Sequence, residues 1–347
     1  MIMIRLAVVW GVLAGTAVAS ESPTLRRFEA TGVEMAVPIR LVFYAPDKKS
    51  ANLASEAVFS RFRQLNQVFS DYDPESEARR LCDQAKPKTA TRVGDDLFCV
   101  ISAAKKLSAQ SAGAFDVTVG PLSQLWRRTL RRGVLPSSKR LADARSRVGM
   151  DRVEIDPRQK TVTLLKSDMR LDFGGIAKGY AIDAALEVLR RRGITRALVE
   201  AGGDIGLGDP PPGRSGWRIA IARLENDGPP SRFVVLANAA IAVSGDTWQY
   251  VEIAGQRYSH IIDPRTGIAL TDHSSVTVIA PNAMTADALA SAVSVLGPAD
   301  GLKLIESLPE TAALVVRSRH EKLEVFRSSR LKRFAVNAQP DKSPKGK

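Results

Sequence analysis

In TADALASA, residues 285–292, Asp287 and Ser291 stand four positions apart. On a helix that spacing puts both on one face, and the rest of the face is small and apolar. A carboxylate and a hydroxyl so placed can offer oxygens to a hard cation. Magnesium suits one carboxylate, few protein oxygens, and phosphate or water for the remainder. The plainer role for Asp287 is a helix-start acid at the positive end of the dipole. Upstream, LDFGGIAKGYAID (171–183) sets Asp172 before Gly174 and Gly175 and follows them with Lys178 and Gly179. Glycines let a backbone approach a ligand, the following helix start presents free amides, and Lys178 adds a full charge. A tight strand-to-helix turn with a surface Asp172 would use the same residues. Two phosphate-binding patterns fail here. Gly174 and Gly179 have the spacing of a Walker loop, but Tyr180 and Ala181 follow where Lys and Ser/Thr belong, and GGxxxG is not the dinucleotide fingerprint GxGxxG.

Two further stretches carry reactive side chains. VSGDTWQY (243–250) puts Ser244, Gly245 and Asp246 after an apolar run, and HIIDPRTG (260–267) packs His260, Asp263, Arg265 and Thr266 into a Pro-containing turn. Without a ligand, Asp263 reads as a turn former and His260 as a strand-end histidine.

The elements that must position these residues follow from periodicity. Residues 39–45 are apolar enough for a buried strand. Ala54, Val58, Phe62, Leu65 and Phe69 mark a helix over 50–69, and Leu97, Val100, Ile101, Ala104 and Leu107 another over 93–108. Between them FSDYDPESEARRL is a turn-rich loop leading into a short helix. GAFDVTVGPL (113–122) reads as a loop with strand character, and 152–165 as a hairpin. A helix runs from the glycine loop to Arg192 and stops at Gly193. ALVEAGGDIG, RIAIARL, RFVVLAN and AAIAVSG read as strands, and WQYVEIAGQRYSHII as a hairpin turning at Ala254-Gly255. A strand, a turn and the helix bearing Asp287 end at Gly297. A helix over 299–307 and strands over 312–317 and 322–326 close the chain. Adjacent strands with irregularly interspersed helices predict an α+β fold with mixed, largely antiparallel sheets.

With 44% hydrophobic and 25% charged residues, the chain is globular in composition and can bury a sizeable core. Arg5, the apolar run Leu6–Val18 and Ala17-Val18-Ala19 read as a signal peptide over residues 1–19. The alternative is an uncleaved membrane anchor, although the run is shorter than the ~20 residues of a spanning helix. No other stretch reads as a membrane span. The expected location is periplasmic or exported. A single domain is expected over 28–328 and a disordered basic tail over 329–347. Cys82 and Cys99 would then meet an oxidising compartment, where their pairing is open. The net charge of +13 is scattered, apart from a cluster at Arg127–Arg132 and the tail. No aromatic-interleaved pattern accompanies it, so no nucleic-acid partner is expected.

FSDYDPESE, GAFDVTVGPL, LDFGGIAKGYAID, EAGGDIG, VSGD, HIIDPRTG and TADALASA occur in the order found in the ApbE family, and from about residue 30 to 326 the chain resembles that family. The resemblance implies a cleft for FAD, as substrate, and Mg2+. It implies transfer of FMN to a threonine hydroxyl of an acceptor protein, a membrane-associated or extracytoplasmic redox protein, with release of AMP. It implies metal ligation by the Gly175 carbonyl, Asp287 and Ser291, where family members usually carry threonine in place of Ser291. It implies flavin contacts from Met35, Tyr72, Ala114, Phe115, Asp116, Asp172, Lys178 and Ile262. The family's Met-Gly-Thr appears here as Met35-Ala36-Val37, and the lipid-anchoring cysteine of many members is missing. His260 suits the base that takes the hydroxyl proton, with Asp246 or Asp263 orienting it or acting instead. An FAD pyrophosphatase and a non-catalytic flavin-binding protein are the alternative functions.

Overall fold

The computed structural model describes residues 24–84, 86–221, 224, 232–246, 249–319 and 322–336. The expected signal peptide, most of the expected tail, and Thr247 and Trp248 of the VSGDTWQY stretch lie outside the described residues. In chain order the first elements are β1 (Arg26–Glu34), β2 (Val37–Ala45), α1 (Lys48–Phe69), α2 (Glu77–Gln84), β3 (Ala90–Arg92), α3 (Asp95–Gln110), α4 (Gly120–Arg132) and α5 (Ser138–Arg145). Then come β4 (Val153–Asp156), β5 (Thr161–Leu164), α6 (Ala177–Arg190), β6 (Ala197–Ala201), β7 (Asp204–Leu207), β8 (Trp217–Ile221), β9 (Arg232–Leu236) and β10 (Ala239–Gly245). The remainder is β11 (Tyr250–Ile253), β12 (Gln256–Ser259), β13 (His273–Ala280), α7 (Ala283–Ser307), β14 (Ala312–Arg319), β15 (Lys322–Arg327) and β16 (Ala335–Val336).

Eight strands form the central sheet in the order β1-β2-β6-β7-β10-β13-β14-β15, each pair antiparallel, so spatial order follows chain order throughout. Residues alternate between its faces, as strand geometry requires. Ala240 and Ala242 of β10 join Val276 and Val278 of β13 against α1, α6 and α7, in a core that includes Phe62, Leu65, Ile182 and Leu289. Ile241, Ile279 and Leu314 point the other way, onto Trp217, Ile219 and Val234 of the small sheet β16-β9-β8. A third cluster gathers Leu122 and Trp126 of α4, Ala144 of α5 and Ile262.

The α+β, largely antiparallel expectation holds, and most elements fall where periodicity put them. The GAFDVTVGPL stretch does not. Its strand character reduces to one parallel bridge, Val119 to Arg170, and Gly120 already opens α4. Beyond its buried first turn, Gly120–Ser123, that helix buries only Trp126 and Thr129 among arginines, and this narrow stripe hides its period. The first residues of the expected 329–347 tail are folded. Ser329–Arg333 forms a 3-10 turn with Leu331 buried, and Ala335–Val336 pairs with β9. Cys82 and Cys99 are separate thiols, Cys82 half-buried and Cys99 exposed. Helix α7 is long and apolar enough to cross a membrane, unlike the reading of the sequence. It turns at Gly297 (φ 73°), before Pro298, and its first segment is buried between the sheet and α6.

Candidate functional site

One end of the sheet, together with the facing ends of α6 and α7, collects most of the expected residues. The first turn of α7 is held twice. Asn282 caps it by accepting from the Thr285 amide at 2.9 Å, and Asp183 of α6 accepts from the amides of Ala283 and Met284, both at 2.8 Å. Burial raises the Asp183 pKa to about 6 against those two bonds. Gly179 permits the close crossing of α6 and α7, because a Cβ there would sit 2.2 Å from the Ala283 carbonyl oxygen.

This packing places Asp287 and Ser291 over the glycine loop. Lys178 Nζ donates to Asp287 Oδ1 at 3.0 Å and to Asp204 Oδ2 at 2.8 Å, and the Gly179 amide donates to Asp287 Oδ2 at 3.1 Å. Burial alone would depress the Lys178 pKa; Asp287 and Asp204 outweigh it and hold the ammonium well above the ordinary lysine value. Burial, then the neighbouring Asp287, raise the Asp204 pKa. With both acids ionised, two carboxylates share one ammonium and one negative charge is left over.

Gly175 lies against Ser291. A Cβ on Gly175 would stand 2.7 Å from Ser291 Oγ and 3.4 Å from Phe115. The expected metal ligands therefore fit a magnesium ion in two respects. Carbonyl, carboxylate and hydroxyl are all hard oxygen donors, and only glycine lets this peptide come so near the serine. Among the described residues no group of three or more His, Cys, Asp or Glu side chains could hold a metal ion, and the expected set uses a single carboxylate.

The neighbouring stretch is pinned to the same loop. The Asp172 amide donates to the Val117 carbonyl at 2.7 Å. Asp172 Oδ1 accepts from the Gly174 amide at 2.9 Å, and Oδ2 from Arg127 Nη2 at 3.0 Å. Arg127 also pairs with Asp71 and lies 4.8 Å from the centre of the exposed Tyr72 ring. Ala114 and Phe115 are buried. Asp116 is fixed by Thr118 (2.7 Å from its amide, 2.6 Å from its hydroxyl) and by the Met150 amide at 3.0 Å, and burial raises its pKa. A cavity of about 410 Å³ opens between this stretch and the DPRTG turn, lined in part by Gly113, Asp116, Gly149, Pro264 and Arg265.

His260 is exposed, with its amide and Nδ1 against the Gln249 carbonyl at 3.0 and 3.2 Å. The surrounding protein lowers its pKa below the usual imidazole value. Although one edge of the residue is exposed, the protein packed around the ring displaces water from it, and this is the main cause; Lys178 adds to it, while the Gln249 carbonyl, Asp246 and Asp172 act in the opposite direction. Asp246 is buried in a network of its own: Arg257 Nε at 2.5 Å, His273 Nδ1 at 2.8 Å and the Ser274 amide at 3.1 Å. Asp263 is occupied by Arg265, whose amide, Nε and Nη2 all lie at 2.9 Å. Both acids are thus engaged in holding loops. Ile262 packs in the α4 cluster, and Met35, with φ 51°, sits in the β1–β2 turn.

Three partners escape sequence reasoning. Asp204 stands in EAGGDIG, which reads as a strand and turn. Arg127 sits in a run of arginines. Asp183 belongs to a helix face. The usable signal was stoichiometric: Asp71, Asp172 and Asp287 are motif acids, and Lys178 alone cannot neutralise them.

The fold is α+β with antiparallel sheets, and at one end of the central sheet Gly175, Asp287 and Ser291 gather beside Lys178. The chain belongs to the ApbE family, whose model matches residues 34–315. It is 33% identical over 275 residues to the FAD:protein FMN transferase of Vibrio cholerae, covering 78% of this chain and 81% of the relative. It is 32% identical over 270 residues to that of Haemophilus influenzae, covering 76% and 78%. The solved flavin transferase ApbE from Vibrio cholerae superposes with a TM-score of 0.80 at 28% identity, over 89% of this chain and 99% of that one. The ApbE protein from Thermotoga maritima gives 0.79 at 31% identity over the same shares.

Proposed function

We propose that this chain is an exported, Mg2+-dependent FAD:protein FMN transferase that moves FMN from FAD to a threonine hydroxyl of an acceptor protein and releases AMP. Relatives of this identity and coverage carry the transferase name. The observation that carries the finer reading is the approach of Gly175 to Ser291 beside the Lys178–Asp287–Asp204 cluster. Gly175, Asp287 and Ser291 would hold Mg2+, which when bound neutralises charge on the phosphate oxygens.

The chain's own residues supply positioning and proton transfer, the main needs of phosphoryl transfer. Arg127 holds Asp172 in place, and Asp172 in turn ties the Gly174 amide, so the glycine loop is shaped before substrate arrives. Lys178 fixes the orientation of Asp287. His260, whose lowered pKa keeps it neutral at pH 7, takes the threonine proton as the threonine oxygen bonds to the FMN phosphorus. The bond from that phosphorus to the bridging oxygen breaks, and AMP leaves with the oxygen.

The test is incubation with FAD, Mg2+ and candidate acceptors, read by intact mass. An acceptor heavier by one FMN, with AMP released, supports transfer. FMN and AMP free in solution with an unlabelled acceptor would make the chain a pyrophosphatase. FAD retained unchanged would make it a binding protein.

A further inference from the structure

The arginine cluster on α4 is only partly used by the cleft. Residues 127–147 hold eight Lys or Arg and one Asp, a large share of the chain's net +13. Arg127 is committed to Asp71 and Asp172, and Arg147 to Asp143. Arg128, Arg131, Arg132, Lys139 and Arg140 are exposed, and none is paired with a carboxylate among the described residues. Between them, at the α4–α5 turn, two apolar side chains face solvent: Val134 is 67% exposed and Leu135 42%.

This tip is built rather than loose. Gly133 closes α4 in the left-handed conformation, its amide returning to the Thr129 carbonyl at 2.8 Å. Ser137 caps α5. Leu122, Trp126, Ala144 and Val148 join the two helices underneath. Nothing lies within 4 Å of the space a Cβ on Gly133 would fill, so the turn projects into the open.

From this geometry we infer that the α4–α5 turn is a membrane-docking surface: the exposed arginines and lysine meet anionic lipid phosphates, and Val134 and Leu135 enter the interface between them. Apolar side chains flanked by cations are the composition of a segment that settles at a bilayer surface, and cations there gain from anionic headgroups. A bilayer is favoured over an acidic protein because a protein would need a matching pocket for a projecting apolar turn, whereas lipid yields to it. Arg131 follows Arg127 by one helical turn, roughly 6 Å along the axis, so docking would hold the cleft close to the membrane. The inference does not rest on the transfer reaction, and vesicle binding reads it without one.

The test uses the processed chain, with both termini common to every variant, sedimented with vesicles of phosphatidylglycerol and phosphatidylcholine or of phosphatidylcholine alone. Wild type is expected to pellet with the anionic vesicles and to be released by salt. R131E/R132E should partition about tenfold less or weaker still, with FAD affinity and thermal midpoint unchanged. V134S/L135S should also bind less, and its residual binding should be more salt-sensitive. Equal sedimentation of wild type and R131E/R132E overturns the inference, as does failure of wild type to pellet. So does an R131E/R132E variant that binds vesicles normally but shows a raised KM for a soluble acceptor, which would make the surface a protein dock.

Discussion

Gly175→Ala adds one methyl group at the point where the glycine loop meets α7. Its carbon would lie 2.7 Å from Ser291 Oγ, 3.3 Å from Ser291 Cβ and 3.4 Å from a Phe115 ring carbon. The first distance is impossible and the second tight. The hydroxyl can escape by turning about one bond, but the Cβ is fixed to a buried helix, so a few tenths of an ångström must come from the loop. Overpacking of this size costs about 1–3 kcal/mol. The two ways of relieving it fall on different measurements. Strain left in the fold lowers the melting temperature by about 1–2 °C per kcal/mol in a domain of this size. Strain relieved by turning the hydroxyl or withdrawing the loop takes an oxygen from the cation, and 1–3 kcal/mol there weakens Mg2+-dependent FAD binding by roughly 5- to 150-fold. Calorimetric titration of Mg2+ in the presence of FAD, beside thermal melts, separates the two. Gly175→Ala/Ser291→Ala should recover most of the melting temperature, since the worst contact is gone, and recover none of the cation affinity. If Gly175→Ala bound Mg2+ and FAD like wild type and melted with it, the loop would not rest on Ser291 and the proposed ligand set would be wrong.

Other perturbations probe neighbouring groups. His260→Ala should lower transfer by about 10²–10⁴-fold with FAD affinity little changed. Because the wild-type imidazole pKa is lowered, the acid limb of kcat should lie below pH ~6.5, and a limb above pH 7 would exclude this base. Lys178→Met leaves Asp204 and Asp287 buried without their cation and should destabilise the fold by about 3–5 kcal/mol in chelator, measured by urea unfolding. The loss should be smaller at pH 5, where Asp204, with its raised pKa, takes up a proton. Asp183 has a folded pKa of about 6 against 3.8 for a free carboxyl, so its contribution is fully present below pH 3.8 and is lost as pH rises through 6. That amounts to about 3 kcal/mol. Asp183→Asn should therefore gain on wild type as pH rises through this range, and a constant difference in unfolding midpoints would refute the assignment.

What could be read beforehand depended on how local each feature is. The Asp287–Ser291 face needs only helical spacing, and the break at Gly297 needs only glycine and proline side by side. The alternation of β10 shows that strand in isolation, although not that its two faces serve different cores. Asp204 is different. Its meaning arises when the turn between β6 and β7 meets Lys178, 26 residues earlier, and Asp287, on another helix. Arg127 resembles its neighbours in composition, and only the fold decides that it turns inward while Arg128 and Arg131 do not. For Asp246 and Asp263 motif position suggests chemistry; in the structure Asp246 also holds Arg257, 11 residues on, while Asp263 holds Arg265 only two residues on.

The order of the central sheet has an evolutionary consequence. Since each of its strands pairs with the next sheet strand along the chain, everything up to β15 outside that sheet enters as a detour between consecutive rungs: α1 to α6, the β8–β9 ribbon, the β11–β12 hairpin and α7. A detour can grow, shrink or be exchanged while the hydrogen-bonding ladder stays in register, because lengthening a surface excursion adds little closure entropy. Descendants of such a chain can therefore refashion excursions such as the β8–β9 ribbon, whereas α6 and α7, which carry Lys178 and Asp287, are detours tied to each other and can change only together.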